Sequence, residues 1–526
     1  MHNPSDTNST PRAFSLQAAD GVGIACLIAI LLLLSIFHSR HTMYSSDEIM
    51  TILVFRQPNF HSMLRAWRDG IDSGGIWFFV LGRVWSSLLG TSPLAIRTFS
   101  ACGIAAAGAT IWIIARRFYS TFVVAAGVGF VFGSSMILTW QLDYARTYGL
   151  FLFASALVLY LVLRGEDAVP VRPAFVLATM VAYALLMGSH ILGGFYVAVF
   201  LCLQFILDLK SRRFRPVLYL SAIAASLPVF LFNIPNLRST SALGKPRFWT
   251  TPPSFKDLIT LTNVLDHRVT GALFFVLLLA FLHLRFNRRH MPVYLLAVVF
   301  ALADLFLFAY SRLSTSIYVN RYLLPFDLVA ILLLCDLLAQ LQEADAPMPA
   351  LRRGLPALFL LLAFAGFFVP KLQRPWYPLP DYTPGLVADL PHNLPVVDAD
   401  DGSFVELEFY QHDVLHPQLI LPLDWPIAMD PLNTGGVSGI NELENMKAHG
   451  FYPDDILTTS TALSAIDGFT RDNHTFVLLT NPLVPTSDLW LKRHILSNPT
   501  FAATKIESYP IGLNGVLDIW LVHTKS

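Results

Sequence analysis

The chain has 526 residues, of which 54% are hydrophobic and 14% charged, and its mean hydropathy is +0.55. That is too apolar for a soluble globular protein and too long for a single span, so the sequence is that of a polytopic membrane protein. Its 36 Lys and Arg balance 36 Asp and Glu, which leaves no net positive charge to draw in nucleic acid and argues against that partner.

The first 19 residues are polar, and the run Gly21 to Phe37 has no small-residue cleavage site after it. An uncleaved first helix is expected rather than a signal peptide. With roughly 20 apolar residues needed per span, about eleven spans are predicted, near 20–38, 94–115, 120–140, 145–164, 173–189, 191–209, 216–235, 271–286, 291–311, 322–341 and 351–369. The four cysteines, Cys26, Cys102, Cys202 and Cys335, fall inside these runs, far apart, and read as small apolar residues rather than as a disulfide or zinc framework.

Between the first two spans, residues 39 to 93 form a long loop that opens with Tyr44-Ser45-Ser46-Asp47-Glu48-Ile49-Met50, two adjacent acids just past the mouth of the first helix. Further on, Gly74 to Gly90 holds about 14 mainly apolar residues, short of a span, with Trp77, Trp85 and Arg83 suited to a helix lying in the headgroup layer. The loops assigned to the inside carry Arg116-Arg117, Arg164 with Arg172, Lys210 to Arg215, Arg285 with Arg288-Arg289, and Arg352-Arg353. This pattern puts the N-terminus in the cytoplasm and the C-terminus outside.

Asp143 to Tyr148, Ser189-His190, the loop Asn236 to Thr270 and the segment Ser311 to Tyr322 then share the outer face with the acidic pair. The Asn236 to Thr270 loop carries Arg238, Lys245, Arg247, Lys256 and Arg268; cations on the outer side run against the inside rule and suit either an anionic ligand or lipid phosphates. Asp304 lies mid-span and has to be paired or neutral there. Beyond Pro370 a Pro-rich connector leads to residues of soluble character. Apolar runs at Leu394–Val397, Leu419–Leu421, Thr475–Leu479 and Val516–Val522 read as strands, with helices around Asp454 to Ile466 and Thr486 to Leu496. The expected organisation is a membrane domain over 1–369 and an extracytoplasmic α/β domain over 370–526. No Walker or dinucleotide glycine motif and no tandem repeat is present.

These segments resemble the GT-C superfamily of membrane glycosyltransferases, in the branch of the protein O-mannosyltransferases, the lipid A aminoarabinose transferase and the lipopolysaccharide uronic-acid transferases. Asp47-Glu48 matches the acidic pair of the family's first outer loop, and Asp143-Tyr144-Ala145-Arg146-Thr147-Tyr148 its alanine-arginine-any-tyrosine segment. Ser189-His190 falls where relatives often carry threonine-histidine, and Asn320-Arg321-Tyr322-Leu323-Leu324-Pro325 resembles the late arginine-tyrosine segment. The chain departs from the family at Gly74-Gly75-Ile76-Trp77, where relatives carry an aromatic before Pro. The resemblance implies an α-helical polytopic GT-C-like fold with a soluble domain. It also implies a polyprenyl-phosphate-linked sugar donor, a lipid, glycan or protein acceptor, membrane lipids around the chain, and a bacterial inner (plasma) membrane.

Such a transfer needs a base for the acceptor proton and cations for the departing phosphate. Asp47 is the candidate base, with Glu48 as orienting partner or as a second acid whose charge raises its neighbour's pKa. Arg146 and Arg321 are the candidate phosphate ligands, since guanidinium offers a planar two-donor fork; a helix-end Arg321 could instead snorkel to headgroups. His190, Tyr148 and Tyr322 are candidate substrate contacts, with structural histidine and interface-belt aromatics as the plainer readings. The residues identify no definite cofactor, and a divalent metal is left open because two acids can hold an ion or act as base and partner. The competing classes are a polytopic transporter, which would show paired halves and mid-bilayer ionisable groups, and another lipid-linked polysaccharide enzyme.

Overall fold

A computed structural model describes residues 16–165, 171–241, 252–260, 290–343, 349–373, 381–430, 438–458, 464–482, 489–511 and 515–525. The predicted span 271–286 and the cations Lys245, Arg247, Arg268, Arg285, Arg288 and Arg289 lie outside the described residues. The first eleven helices are α1 Ala18–Ser39, α2 Ser46–Phe55, α3 Phe60–Arg68, α4 Ile76–Leu89, α5 Pro93–Arg116, α6 Thr121–Ser134, α7 Met136–Leu142, α8 Tyr148–Gly165, α9 Pro173–Ser189, α10 Gly193–Ser211 and α11 Pro216–Ser241. Met291–Leu313, Phe326–Glu343 and Pro349–Leu361 follow, the last continuing through a π turn, Leu362–Phe368, into Val369–Gln373.

Among the described residues, five helices are long and apolar enough to cross a membrane: α1, α5, α10, α11 and Met291–Leu313. α4, α6, α8, α9 and Pro356–Lys371 are apolar but shorter. The expected span 120–140 is two helices, because Ser135 is extended (ψ 114°) and its hydroxyl caps the second one through Leu138 N–H at 3.1 Å. α4 has 14 residues, about 21 Å at helical rise against a hydrocarbon core of roughly 30 Å. Gly90, at φ 81°, ends it. Asp304 is paired, accepting from the Tyr318 hydroxyl at 2.8 Å.

Two close approaches set the roof of the bundle. A Cβ on Gly103 of α5 would stand 2.4 Å from the Gly149 carbonyl carbon, and one on Gly149 would stand 2.0 Å from Ser100 O, so α5 and the start of α8 touch backbone to backbone. The Ser100 hydroxyl then reaches Arg146 O at 2.9 Å, fixing the turn that carries Arg146 over α5.

The C-terminal part holds a six-stranded sheet: β1 Val396–Asp398, β2 Leu419–Leu423, β3 Ile456–Thr458, β4 Thr475–Thr480, β5 Phe501–Ile511 and β6 Gly515–Thr524, in the order β3-β2-β1-β4-β6-β5. β1 to β4 pair in parallel, and β6 is antiparallel to both β4 and β5. The apolar runs read from the sequence are β1, β2, β4 and β6. β3 falls within a stretch expected to be helical, where the helix begins only at Ala465. The largely solvent-facing β5 carries no apolar run to reveal it.

A single apolar core joins Ile49, Phe55, Trp67, Phe78 and Phe79 of the loop between the first two spans to Val397, Leu421, Phe476 and Leu478 of the sheet. The bundle has its own core, which includes Leu31, Ile104, Phe151 and Leu332. The early loop is thus built into the sheet-bearing part and caps the bundle.

Candidate active site

α2 begins on a capping box. Ser45 is the N-cap, and Glu48, three residues on, accepts from Ser45 N–H at 3.0 Å and Ser45 Oγ at 3.2 Å. Glu48 is 1% exposed and more tightly held than the box requires. Arg97 of α5 grips it with two donors, Nε to Oε1 and Nη2 to Oε2, both at 2.7 Å, and Ala145 N–H adds a bond at 2.7 Å. Both Glu48 oxygens are therefore occupied, and Arg97 also donates to the Thr42 and Met43 carbonyls.

Asp47, one position earlier, has its side chain 40% exposed. Its Oδ2 accepts from the Tyr144 hydroxyl at 2.8 Å, and Arg321 Nη1 stands 4.0 Å away. Arg146 donates to the Asp47 carbonyl at 2.9 Å and to Asp72 Oδ2 at 2.5 Å. Burial pushes the Asp47 carboxyl up, but Arg146, Arg321 and the Tyr144 hydroxyl outweigh it and hold the group below the ordinary carboxylate value. The shift is opposite in sign to a rise driven by Glu48, whose charge is cancelled by Arg97.

His190 follows α9 and is 3% exposed, packed against the rings of Phe151 (4.6 Å between centroids), Tyr322 (5.0 Å) and Tyr148 (5.3 Å). Its Nδ1 accepts from Leu192 N–H at 3.1 Å. Burial first, then Arg321 and Arg146, push its pKa down to about 3, so the ring is neutral. The Arg321 guanidinium lies 5.9 Å from the Tyr322 ring centroid, and Tyr322 O accepts from the Tyr196 hydroxyl at 2.8 Å. Asp47, Arg146, Tyr148, His190, Arg321 and Tyr322, drawn from four separate stretches of sequence, thus meet in one group, with Glu48 beneath them.

Four members of the group have no counterpart among the sequence-derived candidates. Asp72, 2% exposed, accepts from Arg146, from Thr51 Oγ1 at 2.5 Å and from Gly74 N–H at 2.5 Å, and so aims the guanidinium. Arg97 anchors Glu48, and Tyr144 orients Asp47. Glu442, on the helix Ser438–Ala448, joins from the sheet-bearing part: burial, Asp47 and Asp401 push its carboxyl well above the usual range, against the pull of Arg146. Arg97 was legible as a charge near the end of an apolar run; Asp72 and Glu442 are single acids in polar stretches and carry no such signal.

A partly exposed carboxylate, aimed by a phenol and bracketed by two guanidiniums, thus stands over a bundle that includes helices long and apolar enough to cross a membrane. Among solved structures, that of ArnT, the lipid A aminoarabinose transferase, from Cupriavidus metallidurans in the apo state matches over 96% of this chain and 98% of its own, with a TM-score of 0.57 and 14% identity. ArnT bound to undecaprenyl phosphate matches over the same shares at a TM-score of 0.53 and 12% identity. At these identities the likeness is one of fold. No family profile matches the chain, and no curated protein matches it in sequence.

Proposed function

We propose that the protein transfers a sugar from a polyprenyl-phosphate donor to a hydroxyl of a glycolipid, glycan or protein acceptor on the outer face of the membrane, with Asp47 as general base. The observation that carries this reading is the Asp47 carboxylate, partly open to solvent and flanked by Arg146 and Arg321. The undecaprenyl phosphate bound to ArnT supports a lipid phosphate as donor carrier. In this reading the acceptor hydroxyl gives its proton to Asp47 Oδ as its oxygen bonds the anomeric carbon. The bond from that carbon to the phosphate oxygen breaks, and the phosphate leaves with the electron pair. Arg321, whose Nη1 stands 4.0 Å from Asp47 Oδ2, is the cation that follows the growing phosphate charge in this reading, with Arg146 beside it. Neutral His190 and the phenols of Tyr148 and Tyr322 line the same group and serve as polar and stacking contacts for a sugar. Glu48 holds the helix that presents Asp47.

Asp47→Asn keeps the size and most of the hydrogen bonding but removes the basic site, so transfer of labelled sugar from a panel of polyprenyl-phosphate donors should fall about 10²–10⁴-fold. Wild-type turnover in that variant would end the assignment.

A further inference from the structure

Well away in sequence from the Asp47 group, the helix Asp401–Leu415 ends in a second cluster of ionisable side chains. Glu408 and His412 lie one turn apart on it, with His412 Nδ1 2.7 Å from Glu408 Oε2. Gln411 leaves helical geometry (φ −128°, ψ 16°), and His416 follows directly after the helix, its ring 4.9 Å from that of His412. Asp455, immediately before β3, meets His416 Nδ1 at 2.8 Å. One nitrogen from each imidazole and a carboxylate oxygen of Asp455 all lie within 4.8 Å of one another.

Burial grades across the cluster. The Glu408 and Asp455 side chains are 0% and 3% exposed, while those of His412 and His416 are 43% and 40% exposed. Glu408 Oε1 is buried with no hydrogen-bond partner, and leaving a buried acceptor unmet costs roughly 1–3 kcal/mol. The two ordinary histidine–carboxylate pairs account for the other contacts but leave that oxygen unexplained. A cation answers it: two carboxylates supply a charge of −2 that a divalent ion cancels, and two imidazoles favour a transition metal over magnesium or calcium.

We propose that His412, His416 and Asp455, whose ligand atoms already lie close together, form a site for a divalent transition-metal ion of the zinc class, with Glu408, beside His412, turning in as the fourth ligand. Two oxygens and two nitrogens suit tetrahedral coordination, in which ligand atoms about 2.0–2.1 Å from the metal stand about 3.3 Å apart. Each histidine–acid pair has to open by about half an ångström to reach that spacing, and the wider separations, up to 4.8 Å, have to close by about 1.5 Å; rotations of the two partly exposed imidazoles supply both movements. All four positions come from protein, so the ion is structural. It clamps the end of Asp401–Leu415 to the segment entering β3, the edge strand of the sheet. The same helix supports the start of α2, since Glu406 accepts from Ser46 N–H at 3.0 Å.

The test uses untagged full-length protein in detergent, stripped with chelator and titrated with Zn²⁺, with bound metal counted by mass spectrometry and the melting midpoint followed. Wild type should gain an equivalent that the double variant His412→Ala/His416→Ala lacks, with a zinc-dependent rise in midpoint as expected for a ligand that binds the native state. Each single histidine variant should weaken Zn²⁺ binding at least about tenfold, equivalent to about 1.4 kcal/mol. Both imidazoles are about two-fifths exposed, and a metal-free midpoint equal to that of stripped wild type shows that the variants fold. Should a variant melt early, Co²⁺ added to wild type decides the matter on its own, because tetrahedral histidine–carboxylate ligation gives intense visible absorption. Equal zinc content in wild type and double variant, or wild type without the tetrahedral Co²⁺ spectrum, overturns the proposal.

Discussion

At the scale of single residues, adjacent acids take opposite parts. Asp47 and Glu48 are neighbours in sequence, yet one is 40% exposed and the other 1%. The neighbouring arginines hold the Asp47 carboxyl low, so it is ionised at neutral pH, and its loss of charge should set the acid limb of the pH–rate profile. Removing a positive charge raises a carboxyl pKa. Arg321→Gln should therefore shift the acid limb of kcat/KM towards higher pH while lowering the rate. Arg321→Lys should leave the limb nearly in place but still lose turnover, because the ammonium lacks the planar fork. The profile of each variant relative to its own maximum gives the answer; an unmoved limb in Arg321→Gln would separate Arg321 from Asp47.

At the scale of elements, α2 is held by its first turn. The spacing Ser45-Ser46-Asp47-Glu48 is that of a capping box, and it assigns Glu48 to the helix and leaves Asp47 to face outward. The buried Arg97–Glu48 pair fastens that turn to α5, with side chains 3% and 1% exposed. Glu48→Gln would strand the Arg97 charge, at a cost of about 3–5 kcal/mol, read as a lower melting midpoint. Asp47→Asn should hardly move the midpoint, since an exposed ion pair contributes little to stability. If both variants instead melted like wild type, Glu48 would not be the anchor. This division was partly legible: the pair, the Arg146 turn, His190 and the Arg321 turn could all be picked out by residue type and order. Their supports could not, because Asp72 and Glu442 reach the site only through tertiary packing of polar stretches. β3 and β5 were hidden for a related reason, one being three residues long and the other mostly facing solvent.

At the scale of the molecule, the site and the sheet lie on one side of the bundle. Tyr44 N–H donates to the Tyr410 hydroxyl at 2.7 Å, and Ser46 N–H donates to Glu406, which also accepts from the Tyr382 hydroxyl at 2.8 Å. Asn236, on α11, donates to the carbonyls of Trp67 and Asp72 at 2.6 and 2.9 Å. Whichever compartment holds the C-terminal part therefore also holds Asp47, and one measurement of sidedness locates both. The proposed orientation, drawn from the basic clusters in the loops between spans, has that compartment outside. Reporter fusions after Ser526 should accordingly report the outer side and fusions after Leu341 the cytoplasm, while a cysteine placed at Ser73 should react with an impermeant reagent from the outside. A cytoplasmic signal at Ser526 would move the whole site to the inner face, where an acceptor from the outer compartment could not reach Asp47, and the transfer reaction would then have to draw both substrates from the cytoplasm. Ser73 and Ser526 reporting opposite sides would contradict the shared core of the early loop and the sheet, and would count against the fold rather than the chemistry.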